Sequence, residues 1–154
     1  MQIDLAIRTA GKADLPSLLE LYRQLNPGDR ILSVKEAERS LRQLVLYPGS
    51  AIIIGVRDDV IVTTCTLVVV PNLTRAGLPY ALIENVVTDN AHRKRGYGRL
   101  LLNHALSAAW SHDCYKVMLL TGSKDPATLR FYATTGFEQT KTGFQIRRIE
   151  PRQS

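Results

Sequence analysis

Apolar residues recur along the chain with two periods, and the change from one to the other marks the elements. Leu5 to Thr9 reads as a short strand. Asp14 then stands as a helix N-cap with Pro16 in the first turn, where its missing N–H does no harm. Leu15, Leu18, Leu19, Tyr22 and Leu25 follow at helical spacing, and Asn26-Pro27-Gly28 stops them. Ser33 and Glu36 form a capping-box pair ahead of Val34, Ala37, Leu41, Leu44 and Val45, a second helix that ends at Tyr47-Pro48-Gly49.

The period then shortens. Ala51 to Val56 and Val60 to Val70 are β-branched runs around Arg57-Asp58-Asp59 and predict an antiparallel hairpin. After a loop over Pro71 to Pro79, Tyr80 to Thr88 reads as another strand. A basic turn, Arg93 to Arg99, leads into a helix through Leu100, Leu101, His104, Ala105, Ala108 and Ala109, ending near Asp113. Lys116 to Thr121 predicts a strand, and Asp125-Pro126 opens a helix that Gly136 closes. Phe137 to Thr140 and Phe144 to Ile149 predict a final pair of strands. The order β-αα-βββ-α-β-α-ββ is mixed α/β, with a largely antiparallel N-terminal half.

Composition narrows the class. A chain of 154 residues suits one domain over 1–154. At that size folding buries roughly 70% of the unfolded surface, so one core forms without covalent staples. A hydrophobic share of 45% beside 22% charged residues excludes a disordered chain. The net charge of +6 points to an anionic partner, but aromatics at 6% and the lack of a binding motif disfavour nucleic acid. Cys65 and Cys114 sit in apolar runs and read as core thiols of a reducing, cytoplasmic compartment. His92, His104 and His112 have no partner at metal-ligand spacing, so no metal is expected. No apolar run is long enough for a membrane span.

The candidate chemistry lies in Arg93-Lys94-Arg95-Gly96-Tyr97-Gly98-Arg99, between a strand and a helix. The start of a helix leaves backbone N–H groups unpaired, and the macrodipole makes that end positive. Glycines let an anion approach those donors closely, which makes the turn a phosphate cradle. No Gly-Lys-Ser/Thr closes it as a nucleotide P-loop, and the third glycine of a dinucleotide fingerprint is missing.

The turn resembles motif A of the GCN5-related N-acetyltransferases (GNAT), Arg/Gln-x-x-Gly-x-Gly/Ala, at Arg93, Gly96 and Gly98. It follows a strand entry, Glu84-Asn85-Val86-Val87-Thr88, that is similar to the family's. Downstream, Phe131-Tyr132-Ala133-Thr134-Thr135-Gly136-Phe137 resembles the end of motif B. The pattern departs at Asp125, where Asn is usual, and at Thr128, where Ala is.

The resemblance implies a GNAT fold, with a mixed sheet of about seven strands and four helices, splayed between the fourth and fifth strands. It implies acetyl-CoA as acyl donor. The backbone from Arg95 to Arg99 would hold the diphosphate, with Arg93, Lys94 and Asp125 also at the cofactor. Val86 to Thr88 would pair with the pantetheine arm, and an N–H near Val86 or Val87 would polarise the thioester carbonyl. Tyr132 occupies the general-acid position and also touches the cofactor. Glu84 is the candidate base, because a carboxylate in an apolar strand is costly unless paired or useful.

Ile83 to Val87 and Cys114 to Val117 are similar to glucosamine-phosphate acetyltransferases, and Phe137 to Phe144 to aminoalkylphosphonate acetyltransferases. Both imply a small anionic amine, for which Arg75, Lys124, Arg130 and Lys141 are candidate anion partners. Acetylation of a protein N-terminus or lysine, and a non-catalytic acyl-CoA-binding module, stand as alternatives. Members of the family often dimerise, so the resemblance admits a homodimer.

Overall fold

The computed structural model describes residues 3–150. Five strands, β1 (Ala6–Thr9), β2 (Ala51–Arg57), β3 (Val60–Val70), β4 (Tyr80–Thr88) and β5 (Val117–Leu119), form one sheet in the order β1-β2-β3-β4-β5. The pairs from β1 to β4 are antiparallel, and β4–β5 is parallel. Four α-helices complete the fold: α1 (Leu15–Leu25), α2 (Val34–Val45), α3 (Tyr97–Ser111) and α4 (Pro126–Thr134).

Local chemistry accounts for most of these boundaries. The β2–β3 connection is a tight hairpin turn with both central residues, Asp58 and Asp59, at positive φ (48° and 61°). That is the backbone twist that matches two right-twisted strands. At the start of α2, Ser33 Oγ accepts from the Glu36 N–H at 3.3 Å, and the Glu36 carboxylate accepts from the Ser33 N–H at 2.8 Å. Arg30 adds a two-pronged contact to the same carboxylate, 3.0 and 3.3 Å. α4 ends with Gly136 at φ 104°, its N–H bonded to Ala133 O and that of Phe137 to Tyr132 O. Those two bonds satisfy the last carbonyls of the helix.

The sheet buries both faces. Ile53, Cys65, Leu67, Val69, Ala81 and Ile83 pack against Leu101, Leu102, Ala105 and Ala109 of α3. On the other face Ile54 joins Leu15 and Leu18 of α1 and Ala37 of α2.

One expectation needs correction. The sheet has five strands rather than about seven, since residues 137–140 and 144–149 carry no ladder. Phe144 and Ile146 are 91% and 99% exposed. A β-branched and aromatic run makes a strand only when a neighbour takes its hydrogen bonds and covers one face, and here neither is supplied. Asp14 stands at the N-cap position of α1 as expected, but its side chain makes no cap hydrogen bond; its carboxylate instead accepts from Arg8, at 2.7 and 2.8 Å, and from the Gly11 N–H at 2.8 Å.

The Glu36 cluster carries a pH signature. Hydrogen bonds from Arg30 first, then from Ser33, hold this exposed carboxyl down at about 2 instead of 4.5. A carboxyl depressed by folding adds stability above its unfolded value and loses it as pH falls through the folded one. Glu36→Gln therefore lowers the melting temperature at pH 7 by about 1–3 °C. In melts at stepped pH the gap closes between about 4.5 and 2; a gap unchanged at pH 2 contradicts the assignment.

Candidate active site

The site begins with an irregularity in β4. Thr64 pairs with Val87 and Thr66 with Glu84, so Cys65 alone faces both Asn85 and Val86. This is a β-bulge, and Asn85 takes the left-handed conformation, φ 53°, that it requires. On the other side of β4 the pairing with β5 runs from Ala81–Val117 to Ile83–Leu119 and stops. Beyond that point the strands part, as the expected splay between the fourth and fifth strands demands. From Glu84 to Thr88 the outer edge of β4 faces no strand among the described residues, which suits it to an extended ligand that bonds like a strand.

The chain then enters the basic turn. Asp89 caps a short 3₁₀ turn, Asn90–His92, by accepting from the Ala91 N–H at 2.9 Å. Lys94 and Gly96 both have positive φ, 60° and 81°, and Gly96 is the N-cap of α3. A glycine cap brings no side-chain acceptor, so the first N–H groups of α3 remain available to an anion. The flanking arginines shape the turn: Arg93 Nε donates to Thr88 O at 3.2 Å, and Arg95 to Ala91 O at 3.3 Å. Arg99 donates to Thr134 Oγ1 at 2.9 Å, tying α3 to α4. Tyr97 is buried, its hydroxyl bonded to Arg57.

Gly98 has a further reason to be glycine. A Cβ there would stand 3.1 Å from Phe131 Cζ and 3.4 Å from Thr88 Oγ1, so the residue lets α4 close onto the start of α3.

Glu84 and Tyr132 lie on opposite faces of the sheet, Ile83 rather than Glu84 facing the cluster that Tyr132 packs against. Glu84 is exposed and pairs with Thr66 of β3. Tyr132 is half-buried on the α3 face, with Phe131 at 5.0 Å and Phe137 edge-on at 6.2 Å. Burial raises the Tyr132 pKa above its usual value, and the Cys65 sulfur adds to this, so the hydroxyl keeps its proton at neutral pH. Asp125 Oδ1 accepts from the Ala127 N–H at 2.9 Å, which makes it the N-cap of α4.

A cavity of about 190 Å³ opens beside the bulge, lined by Tyr22, Arg23, Leu25 and Asn26 of α1 and its end, by Asp29 to Leu32, and by Asn85. The periodicity marked Tyr22 as core and Asn26 as a helix stop, and nothing in the pattern distinguished Arg23 or Arg30. None of Arg75, Lys124, Arg130 and Lys141 lines this cavity. Arg75 lies over the Tyr115 ring at 5.6 Å instead. The basic groups at the cavity are Arg23, 3.5 Å from Glu20, and Arg30, held by Glu36.

Comparison with known proteins decides the family. The profile of the acetyltransferase (GNAT) family matches residues 15–137, which span both the bulged strand and the α4 motif. The chain belongs to the GNAT family. It is 30% identical over 135 residues to the glucosamine 6-phosphate N-acetyltransferase of Trypanosoma brucei brucei, covering 88% of this chain and 90% of that protein. A solved structure from Agrobacterium tumefaciens strain C58 superposes with a TM-score of 0.87 at 52% identity, covering 93% of this chain and 99% of that one. The glucosamine-6-phosphate N-acetyltransferase of Arabidopsis thaliana shares the fold, with a TM-score of 0.86 at 20% identity over 96% of this chain and all of that one. As a GNAT enzyme the protein uses acetyl-CoA to acetylate amines. Among the described residues no group of His, Cys, Asp and Glu is arranged to hold a metal, and no helix is long and apolar enough to cross a membrane.

Cys65, which faces the bulge from inside, is fully buried, and burial pushes its thiol up to about 12. Cys114 is also buried, with its thiol raised. Neither thiol attacks a disulfide reagent readily in the folded state. Titration with such a reagent at pH 8 should find no fast-reacting thiol in native protein and two after unfolding in guanidinium; one fast thiol in native protein contradicts this burial.

Proposed function

We propose that this GNAT enzyme acetylates the primary amine of a small anionic metabolite, with glucosamine 6-phosphate the first candidate, by direct attack on acetyl-CoA. The observation that carries the reading is the cavity beside the open edge of β4, with Asn85 on its wall and Arg23 and Arg30 around it. The name of the trypanosomal relative adds to it. Glucosamine 6-phosphate carries one amine and one dianion; Arg30 already holds Glu36 in two-pronged fashion, so Arg23, whose exposed guanidinium meets Glu20 through one nitrogen at 3.5 Å, keeps donors for such an anion.

In this reading the diphosphate of CoA lies on the backbone from Arg95 to Arg99, with Arg93, Lys94, Gly96, Tyr97 and Gly98 shaping the turn. Asp125 fixes the start of α4 beside it. The pantetheine arm bonds along Val86, Val87 and Thr88, and brings the thioester to the splay. An alkylammonium of pKa near 10 leaves only about one molecule in a thousand as free base at pH 7. Glu84, directly or through water, takes that proton, a step commonly worth about 10²- to 10⁴-fold. The nitrogen lone pair attacks the thioester carbon, and an N–H near Val86 or Val87 holds the oxyanion. The new C–N bond forms, the C–S bond breaks, and Tyr132 gives its proton to the departing thiolate; the nitrogen then loses its second proton to solvent, which returns one to the Tyr132 oxygen, leaving the neutral amide and the free thiol. The place of Tyr132 in the Phe131-Tyr132 motif, half-buried between Phe131 and Phe137, supports the acid role.

The same reading takes residues 1–154 as one domain working in the cytoplasm without metal, nucleic acid or membrane. It also includes a homodimer. Among the described residues the outer edge of β5 is unpaired and the strand-patterned stretch around Phe144 and Ile146 is exposed, and both support contact with a second copy.

A thiol-release assay tests the substrate. Glucosamine 6-phosphate should release CoA at least tenfold faster than glucosamine, and peptide amines should be slower still. Equal rates for the two sugars contradict the anion requirement. Preference for peptides replaces the reading with protein acetylation, and binding of acetyl-CoA without release to any amine replaces it with a non-catalytic module. Tyr132→Phe should lower turnover at least tenfold while leaving acetyl-CoA affinity within twofold; unchanged turnover removes the acid assignment.

A further inference from the structure

One side chain joins the helix that walls the cavity to the turn that leads into the basic loop, and the chemistry described so far makes no use of it. Gln24 lies near the C-terminal end of α1, between the cavity-lining Tyr22, Arg23, Leu25 and Asn26. It is half-buried and does not itself line the cavity. Its Nε2 donates to Asp89 Oδ2 at 2.7 Å, and its Oε1 accepts from the Asn90 N–H at 2.9 Å. Both ends of one amide are thus bound to the turn that follows β4.

That turn is rigidly held elsewhere. Asp89 Oδ1 accepts from the Ala91 N–H at 2.9 Å and stands 2.8 Å from His92 Nδ1, and the Asp89 N–H donates to Val62 O at 2.8 Å. Immediately beyond it come Arg93, hung from Thr88 O, and the backbone that caps α3. The link spans 65 positions in sequence and ends on a carboxylate, and hydrogen bonds to an ionised acceptor are the stronger kind. No other amino acid of this length offers both a donor and an acceptor. Glutamate keeps the acceptor but cannot donate, and it sets a second negative charge against Asp89.

We propose that Gln24 is a positioning residue that couples the two substrates: filling the cradle with CoA steadies, through Asp89 and Asn90, the end of α1 that walls the acceptor cavity. Ordering one site then lowers the cost of ordering the other, which is a cooperative gain without a change of fold. The inference rests on the cofactor and acceptor placement proposed above.

Hydrogen exchange followed by mass spectrometry tests it with CoA alone, no amine being added. In the native protein, saturating CoA should slow exchange at least threefold both in a peptide over residues 93–99 and in one over residues 19–32. In Gln24→Glu, and in Gln24→Ala, which adds no charge, the 93–99 peptide should keep its protection and the 19–32 peptide should lose it. A residue that merely stabilises α1 alters exchange with and without CoA alike and leaves the difference intact. Protection of 19–32 that is equal in native and variant protein overturns the proposal, as does native protein that protects only 93–99. Because the probe is CoA, failure to acetylate glucosamine 6-phosphate sinks the substrate reading and leaves this one standing.

Discussion

The interaction on which the rest depends is one that the protein leaves unmade. β4 is bonded to β3 along its length but to β5 only as far as Ile83. Backbone donors and acceptors in a fold are almost always satisfied, so an open edge in the middle of a sheet calls for a partner or for water. Sheet edges are usually blunted to prevent pairing. Here the bulge at Asn85–Val86 twists the strand at the point where β5 leaves it. The open edge, the bulge and the cavity then share one location.

Charge is distributed to suit that arrangement. The chain carries a net charge of +6, yet the arginines of the basic turn spend their hydrogen bonds on carbonyls and a hydroxyl that shape it. In the proposed reading, anion recognition falls to the main chain at the head of α3, with the side chains adding a field around it. The catalytic candidates divide in the same manner. Glu84 is exposed, as suits a base that exchanges protons with solvent, whereas Tyr132 is enclosed by Phe131 and Phe137 and holds its proton.

Short-range chemistry was legible in the sequence. The Ser33–Glu36 box, the Gly136 terminus and the Asp58-Asp59 turn each involve a few adjacent residues, and each stands where the pattern put it. The glycine turn likewise stands where the pattern put it, between β4 and α3, and the Phe131-Tyr132 motif lies on the helix that follows β5. Long-range relations were not legible. Residues 144–149 have the pattern of a strand, but a strand exists only beside another, and no pattern within a segment reports its neighbour. Gly98 is small because Phe131, far along the chain, packs on it. The cavity wall is built from a helix face, a loop and one bulged residue, which only the fold brings together. Asp14 holds the N-cap position that the pattern gave it, but its lack of a cap bond was hidden for the same reason: Arg8 on β1 and the Gly11 N–H take its carboxylate.

The central claim is that the open edge of β4 and the head of α3 together form the seat of the coenzyme. Amide chemical shifts of isotope-labelled protein, followed as CoA is added, test this most directly. The account predicts that the largest changes fall on Val86 to Thr88 and on Arg95 to Arg99, saturating together. Changes confined to another face of the molecule, with those amides unmoved, would contradict it.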